Sequence, residues 1–158
     1  MVFEVVSLLN ELNLKISLAE SCTGGMISSS IVGVNGASKV LLGGFVTYTN
    51  EMKMKMLNVS CDTLNKYTAV SNACAKEMAL GCKNATGADI DVSVTGYAGP
   101  LDLPEEPKGL VYIGCAYKDI NYAKEYRFDG ERNEIREKAA DSAIELIREI
   151  LLNEYKGK

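Results

Sequence analysis

Between residues 14 and 31 the chain changes its hydrophobic period. Leu14, Ile16 and Leu18 alternate with Lys15 and Ser17, the two-residue repeat of a strand. Met26, Ile27, Ser30 and Ile31 then recur at helical spacing. Ala19-Glu20-Ser21-Cys22-Thr23-Gly24-Gly25 lies at the switch, so a hydroxyl, a thiol and a second hydroxyl stand on a strand-to-helix turn. The two glycines let backbone approach closely. A helix start presents unpaired N–H groups and a positive dipole end, which suit an anion or a developing oxyanion. Ser21 reads as a nucleophile or as a plain helix cap, and the local pattern leaves both open.

The same periodicities lay out the rest of the chain. They predict a helix over 3–12, a strand over 15–20, a helix over 22–33 and a loop over 33–38. A second strand over 43–49 leads into a short helix over 51–57 capped by Asn50. Ser71 caps a longer helix reaching 86, with Ala75, Met78, Ala79 and Cys82 on one face. Ile90, Val92 and Val94 alternate in a third strand, and 110–117 with 122–128 read as a hairpin. The last helix, 131–155, carries the apolar stripe Ile135, Ala139, Ala143, Leu146, Ile147, Ile150 and Leu151. Strand–helix alternation with a late hairpin argues a mixed sheet covered by helices on both faces.

Composition narrows the function. The chain has 158 residues, which fits one domain over 1–158, and its 47% hydrophobic content is enough for a proper core. A net charge of −4 argues against nonspecific nucleic-acid binding. No apolar run is long enough for a bilayer, and Glu4, Asn10 and Glu11 interrupt any signal-peptide pattern. The five cysteines include no CxxC pair and read as buried thiols, so a cytoplasmic location is expected. There is no histidine. A Ser-His-Asp triad, a His-assisted thiol and a His-rich zinc site are thereby excluded, and proton transfer falls to Lys, Tyr, Cys or a shifted carboxylate.

Three strand ends carry small polar residues and glycines: the Ser21 turn, Val46-Thr47-Tyr48-Thr49-Asn50, and Val94-Thr95-Gly96-Tyr97-Ala98-Gly99-Pro100. Ligands of such sheets bind outside the carboxyl ends of strands. Lys53 falls in the first turn of a helix, where the dipole disfavours an ammonium and lowers its pKa. A lysine so poised can serve as base toward a Ser hydroxyl; a solvated surface lysine is the other reading. Tyr48 either relays a proton or stacks as a half-buried aromatic. The Thr95 hydroxyl and the Gly96 N–H can hold an anion or an amide oxygen. Arg132 opens the last helix, an unfavourable place for a cation. A phosphate or a salt bridge to Glu131 or Asp129 would explain it, and Arg136, one turn on, can do the same work. Glu20 is a candidate acid or a lysine partner. Cys22 lacks an evident base and reads as a small buried thiol.

Taken together, AESCTGG, GGFVTYTNEMK, TAVSNACAKEMALG and ADIDVSVTGYAGP, in that order, resemble the C-terminal domain of the competence-damage-inducible protein CinA. The similarity runs from Leu18 to the last helix. It implies a three-layer α/β/α sandwich with a mixed five-stranded sheet. It also implies an amidohydrolase that converts nicotinamide mononucleotide to nicotinate mononucleotide and ammonia, with no metal or redox cofactor. The resemblance puts the nucleophile at Ser21, functional Tyr48 and Lys53 in the VTYxNxxK segment, the SVTG hydroxyl at Thr95, and the helix-opening arginine at Arg132. With Ser21 attacking the carbonyl, Lys53 takes its proton directly or through Tyr48, and N–H groups at Thr23-Gly24 or the Thr95 hydroxyl hold the oxyanion. Arg132 and the glycine turns, with Thr23, Gly24, Gly25, Gly96 and Gly99, hold the ribose phosphate. The expected partners are a small nucleotide and further copies of the chain, since family members self-associate. The molybdopterin-binding-like domain of longer members is not part of the sequence. One loop departs from the pattern. Where the family has Gly-Gly-Thr and then Lys-Pro-Val-Gly, residues 101–109 read LDLPEEPKG. An acidic loop repels phosphate, which motivates two alternatives: a noncatalytic nucleotide-binding module, and hydrolysis of a different amide.

Overall fold

The structure, a computed structural model, describes residues 1–100 and 107–157. Its strands are β1 (Ile16–Glu20), β2 (Leu41–Val46), β3 (Ile90–Gly96), β4 (Leu110–Tyr117) and β5 (Ile120–Arg127). Its helices are α1 (Val2–Glu11), α2 (Met26–Val32), α3 (Asn50–Leu57), α4 (Cys61–Tyr67), α5 (Asn72–Thr86) and α6 (Arg132–Lys156). The strands form one sheet in the order β2-β1-β3-β4-β5. β1 pairs in parallel with both β2 and β3, whereas β3–β4 and β4–β5 are antiparallel. The expected mixed α/β sheet is therefore present, with helices on both faces.

Packing explains the layers. One cluster gathers Val5 and Leu9 of α1, Ile27 and Ile31 of α2, and Ile135, Ala139 and Ile147 of α6 against Ile16, Leu18 and Val92 of the sheet. A second, smaller cluster joins Leu57, Leu64, Met78 and Cys82 of α3, α4 and α5 to Ala19. Burying a Leu or Ile side chain stabilises by about 1.5–3 kcal/mol, and all five residues of β1 are buried, as a central strand requires. α5 lies very close to the sheet because small residues face each other. A Cβ on Gly114 would sit 2.3 Å from the Ala75 carbonyl oxygen, and Ser93 Oγ donates to that same oxygen.

The boundaries differ from expectation in places with local causes. The second helix begins at Met26, four residues later than predicted, because Gly24 and Gly25 hold φ of 59° and 103°. Ser21 is thus no helix cap. The cap of α3 is Thr49, whose Oγ1 accepts from Met52 N, and not Asn50. β2 starts earlier and ends earlier than predicted. It is an edge strand with a bulge near its start, and its alternation is blurred by Gly43 and Gly44. α4 was not predicted; Ser60 caps it, and only Leu64 on it is buried, which leaves almost no periodic signal. Four of the five cysteines are buried, but Cys61 is exposed.

Candidate active site

Parallel pairing sets the carboxyl ends of β2, β1 and β3 side by side. Glu20 pairs with Val46 on one side and Val94 on the other. The ladder continues one step further, through Ser21 N–H to the Val94 carbonyl and Thr47 N–H to the Glu20 carbonyl. Ser21 therefore sits between Thr47 and Thr95. Above it opens a cleft of about 150 Å³, lined by Ser21, Cys22, Tyr48, Asn50, Lys53, Ala69, Val70, Thr95, Gly96, Tyr97, Ala98 and Arg132.

Lys53 reaches this floor from the first turns of α3. Its Nζ lies 3.0 Å from Ser21 Oγ, 2.7 Å from the Thr47 carbonyl oxygen and 3.5 Å from that of Tyr48. The side chain is 2% exposed, and among the described residues no carboxylate forms an ion pair with it. Desolvation therefore pushes the ammonium below the ordinary lysine value of 10.5. Cys74 and Cys22 would oppose this only as thiolates, and burial raises both thiols to about 11, so near neutral pH they offset nothing. A neutral amine has two hydrogens and one lone pair. As an ammonium, Nζ donates to Ser21 Oγ and to the Thr47 carbonyl; once deprotonated, its hydrogens can go to the two carbonyls and its lone pair to the Ser21 hydroxyl.

The turn that carries Ser21 is held from both sides. The Glu20 carboxylate, fully buried, accepts from the N–H groups of Gly25, Ile27 and Ser28 and from Ser28 Oγ. Glu20 therefore holds the amides at the start of α2, whose N-cap residue is Gly25, rather than serving as an acid for the cleft or a lysine partner. On the other side, Arg136 Nε donates to the Cys22 carbonyl at 2.8 Å and Nη2 to that of Thr23 at 3.3 Å. This is not the phosphate-binding role that its position in the sequence suggested.

Ser21, Lys53, Tyr48, Thr95, Gly96 and Arg132 all come together at the cleft, but several roles change. Thr95 Oγ1 donates to the Ala69 carbonyl at 2.8 Å, so its proton is not available to an oxyanion. Its hydroxyl instead fixes the segment that forms one wall. Tyr48 does not link Lys53 to Ser21, since those two touch directly. Its ring is 63% exposed at the cleft mouth, and its hydroxyl accepts from Arg132 Nη2 at 3.1 Å. Arg132 Nη1 donates to the Gly99 carbonyl at 2.7 Å, so Arg132 ties two walls together and makes neither expected salt bridge. Glu131 lies instead 3.8 Å from Lys108. Gly96 is a packing glycine, because a Cβ there would stand 2.6 Å from Val111 Cγ2. Gly99 contributes its carbonyl to Arg132 and does not line the cleft.

Thr23, Gly24 and Gly25 do not line the cleft either. Thr23 is fully buried and its Oγ1 has no partner. Gly24 N–H donates to the Ser21 carbonyl and Gly25 N–H to Glu20, so neither faces a substrate. The two glycines instead border a separate, wider depression with Met26, Ser29, Glu137 and Asp141. Among the described residues, the N–H groups of Cys22 and Thr23 have no carbonyl or carboxylate acceptor. The loop departure at 101–109 lies mostly outside the described residues. Sequence reasoning placed Asn50, Tyr97 and Ala98 on the strand ends of the expected cleft without giving them a role, and missed Ala69 and Val70. Tyr97 and Ala98 were legible, since they follow directly on Thr95-Gly96, whereas Ala69 and Val70 reach the cleft only through tertiary packing.

A three-layer α/β/α fold with a buried Ser–Lys pair at the carboxyl edge of its parallel strands defines a protein that sets one hydroxyl beside one amine whose charge burial disfavours. The chain belongs to the CinA C-terminal domain family, whose model matches residues 1–151. It is 47% identical over 150 residues to a competence-damage inducible protein of Caldicellulosiruptor saccharolyticus, covering 94% of this chain and 36% of that one. A CinA-like protein of Thermotoga maritima is also 47% identical, over 93% of this chain and 36% of its own length. The chain thus spans about a third of these relatives. Among solved structures, a CinA-superfamily protein of Klebsiella pneumoniae superposes with a TM-score of 0.92 at 29% identity, covering 96% of each chain. The competence/damage inducible protein CihA of Agrobacterium tumefaciens has a TM-score of 0.86 at 38% identity, over 95% of this chain and 96% of that one. No helix among the described residues is long and apolar enough to cross a membrane.

Proposed function

We propose that the chain hydrolyses the carboxamide of nicotinamide mononucleotide, with Ser21 as nucleophile and Lys53 as base. The contact of Lys53 Nζ with Ser21 Oγ carries this reading. The amine takes the hydroxyl proton as Oγ bonds to the amide carbon and the carbonyl electrons move to oxygen. The N–H of Cys22, which lines the cleft, is the turn donor left for that oxyanion. Its collapse breaks the C–N bond, and the Lys53 ammonium returns the proton to nitrogen, which departs as ammonia. Water then gives a proton to Lys53 and attacks the acyl ester, releasing the acid and restoring Ser21. Arg132 keeps further N–H donors for a phosphate beside those it spends on Gly99 and Tyr48, and Tyr48 and Tyr97 flank the cleft for an aromatic ring.

Ammonia and nicotinate mononucleotide are measured after mixing protein with nicotinamide mononucleotide. Turnover that vanishes in Ser21→Ala is expected. Wild-type turnover in Ser21→Ala removes the nucleophile assignment. Calorimetric binding of the mononucleotide with no product removes the hydrolase reading.

A further inference from the structure

Arg136 lies outside the cleft, yet all three of its guanidinium nitrogens are engaged. Nε and Nη2 donate to the consecutive carbonyls of Cys22 and Thr23, and Nη1 donates to Asn133 Oδ1 at 2.9 Å. Asn133 lies one turn back on the same helix, so the guanidinium plane is held from α6 itself. A Cβ at Gly24 would stand 3.3 Å from Nη2, so the bare glycine lets the fork come down onto the turn. Glu20 meanwhile holds the amides at the far end of the same turn.

The consequence follows from peptide geometry. In a planar trans peptide the carbonyl of one residue and the N–H of the next point in opposite directions. A donor fixed on the Cys22 carbonyl therefore fixes the peptide plane that joins Cys22, a lining residue of the cleft, to Thr23. The same clamp restrains the peptides that follow Ser21, and so the hydroxyl's approach to Lys53 Nζ. A flexible turn without this clamp would sample other peptide orientations, and misplacement of about 1 Å can cost ~10²-fold in rate.

We infer that Arg136 is a positioning residue for the nucleophile: it orients the turn amides and Ser21 Oγ through the Cys22 and Thr23 carbonyls, without touching substrate. The inference rests on Ser21 being an activated nucleophile, the reading given above, but not on which amide is hydrolysed. A planar fork that spans two adjacent carbonyls cannot be replaced by an ammonium, which is a point donor.

The test measures Ser21 directly. The protein is treated with an arylsulfonyl fluoride, and the rate of Ser21 modification is followed by mass spectrometry. In that reaction Oγ bonds to sulfur, fluoride leaves and Lys53 takes the hydroxyl proton. Arg136→Met, Arg136→Lys and Arg136→Ala are compared with wild type, and thermal melting is recorded for each. Labelling ~10–10²-fold slower in all three variants is expected, with partial recovery of Arg136→Ala by added guanidinium chloride at sub-denaturing concentration. With nicotinamide mononucleotide, the loss should fall on kcat while KM changes less than about threefold. Equal labelling of wild type and a folded variant overturns the inference alone. Wild type that labels but releases no ammonia leaves the inference standing and overturns the substrate. Wild type that does not label at Ser21 overturns both. Should Arg136→Met melt at a much lower temperature, Arg136→Lys decides, because it keeps the charge and the aliphatic packing.

Discussion

Lys53 Nζ and Ser21 Oγ lie 3.0 Å apart although 32 positions separate the two residues. The contact is a product of parallel pairing. β2 and β1 end together, Thr47 N–H reaches the Glu20 carbonyl, and α3 therefore starts beside the turn after β1. Thr49 caps α3, which puts Lys53 one turn in and directs its chain back over the strand ends. The amine reaches the hydroxyl with its own charge disfavoured by burial.

That burial gives a pH prediction. Activity should rise with pH along a limb whose apparent pKa lies below 10.5, because only the neutral amine accepts the Ser21 proton. The stability sign is the same. With the folded value depressed, the unfolded chain binds more protons between the two values, so stability rises with pH across that window. Lys53→Met should lose both slopes and about 10²–10⁴-fold in kcat while still folding. A kcat/KM profile that falls with rising pH over this range would count against Lys53 as base.

Thr95→Val distinguishes wall from oxyanion donor. Loss of the hydrogen bond to the Ala69 carbonyl should cost about 1 kcal/mol of stability and less than tenfold in kcat. Loss of an oxyanion donor would cost about 10²–10³. Parallel melting and turnover measurements separate the two.

Tyr48 and Arg132 should split between them what a relay would unite. Tyr48→Phe removes only the hydroxyl that meets Arg132, so kcat should stay within about fivefold of wild type. Arg132→Gln removes the charge and the bridge to Gly99, and should raise KM for a phosphorylated substrate by about tenfold or more. Steady-state kinetics on both variants reads this directly. A much larger kcat loss in Tyr48→Phe would restore the tyrosine to the proton path.

A buried carboxyl outside the site has its own signature. Asp91 on β3 is fully buried, accepts from Ser17 Oγ at 2.7 Å, and is pushed well above 3.8 by desolvation. The folded state then keeps a proton that the unfolded chain gives up, so stability falls as pH rises from 3.8 through the folded value. Asp91→Asn should flatten that decline and raise the melting temperature at neutral pH by about 2–4 °C, roughly 1 kcal/mol. Melting curves across pH test both, and an unchanged slope would mean that another group is responsible.

The elements with strong periodicity were legible from residues alone. β1, β3, the β4–β5 hairpin, α5 and α6 announce themselves because one face of each must be buried, and the predicted stripe of α6 is buried apart from the half-buried Ile150. α4 was silent because it buries one leucine, and β2 was blurred because an edge strand with two glycines and a bulge has little alternation to show. In the cleft, Ser21, Tyr48, Lys53, Thr95 and Arg132 stood out as polar residues at strand ends or as cations at helix starts. Their partners did not. Glu20 read as a candidate acid or lysine partner and Arg136 as a candidate phosphate binder, and both hold the two sides of one turn.

The sequence by itself determined which residues could be buried and where strands gave way to helices, because hydrophobic period and turn chemistry are local. It also determined that any base here had to do without imidazole. Only the tertiary structure decided which side chains meet. Whether Lys53 is charged or neutral, whether Thr95 has a proton to give, and which carbonyls Arg136 takes all depend on neighbours brought together by strand order and register. Those distances and that loss of water have no counterpart along the chain.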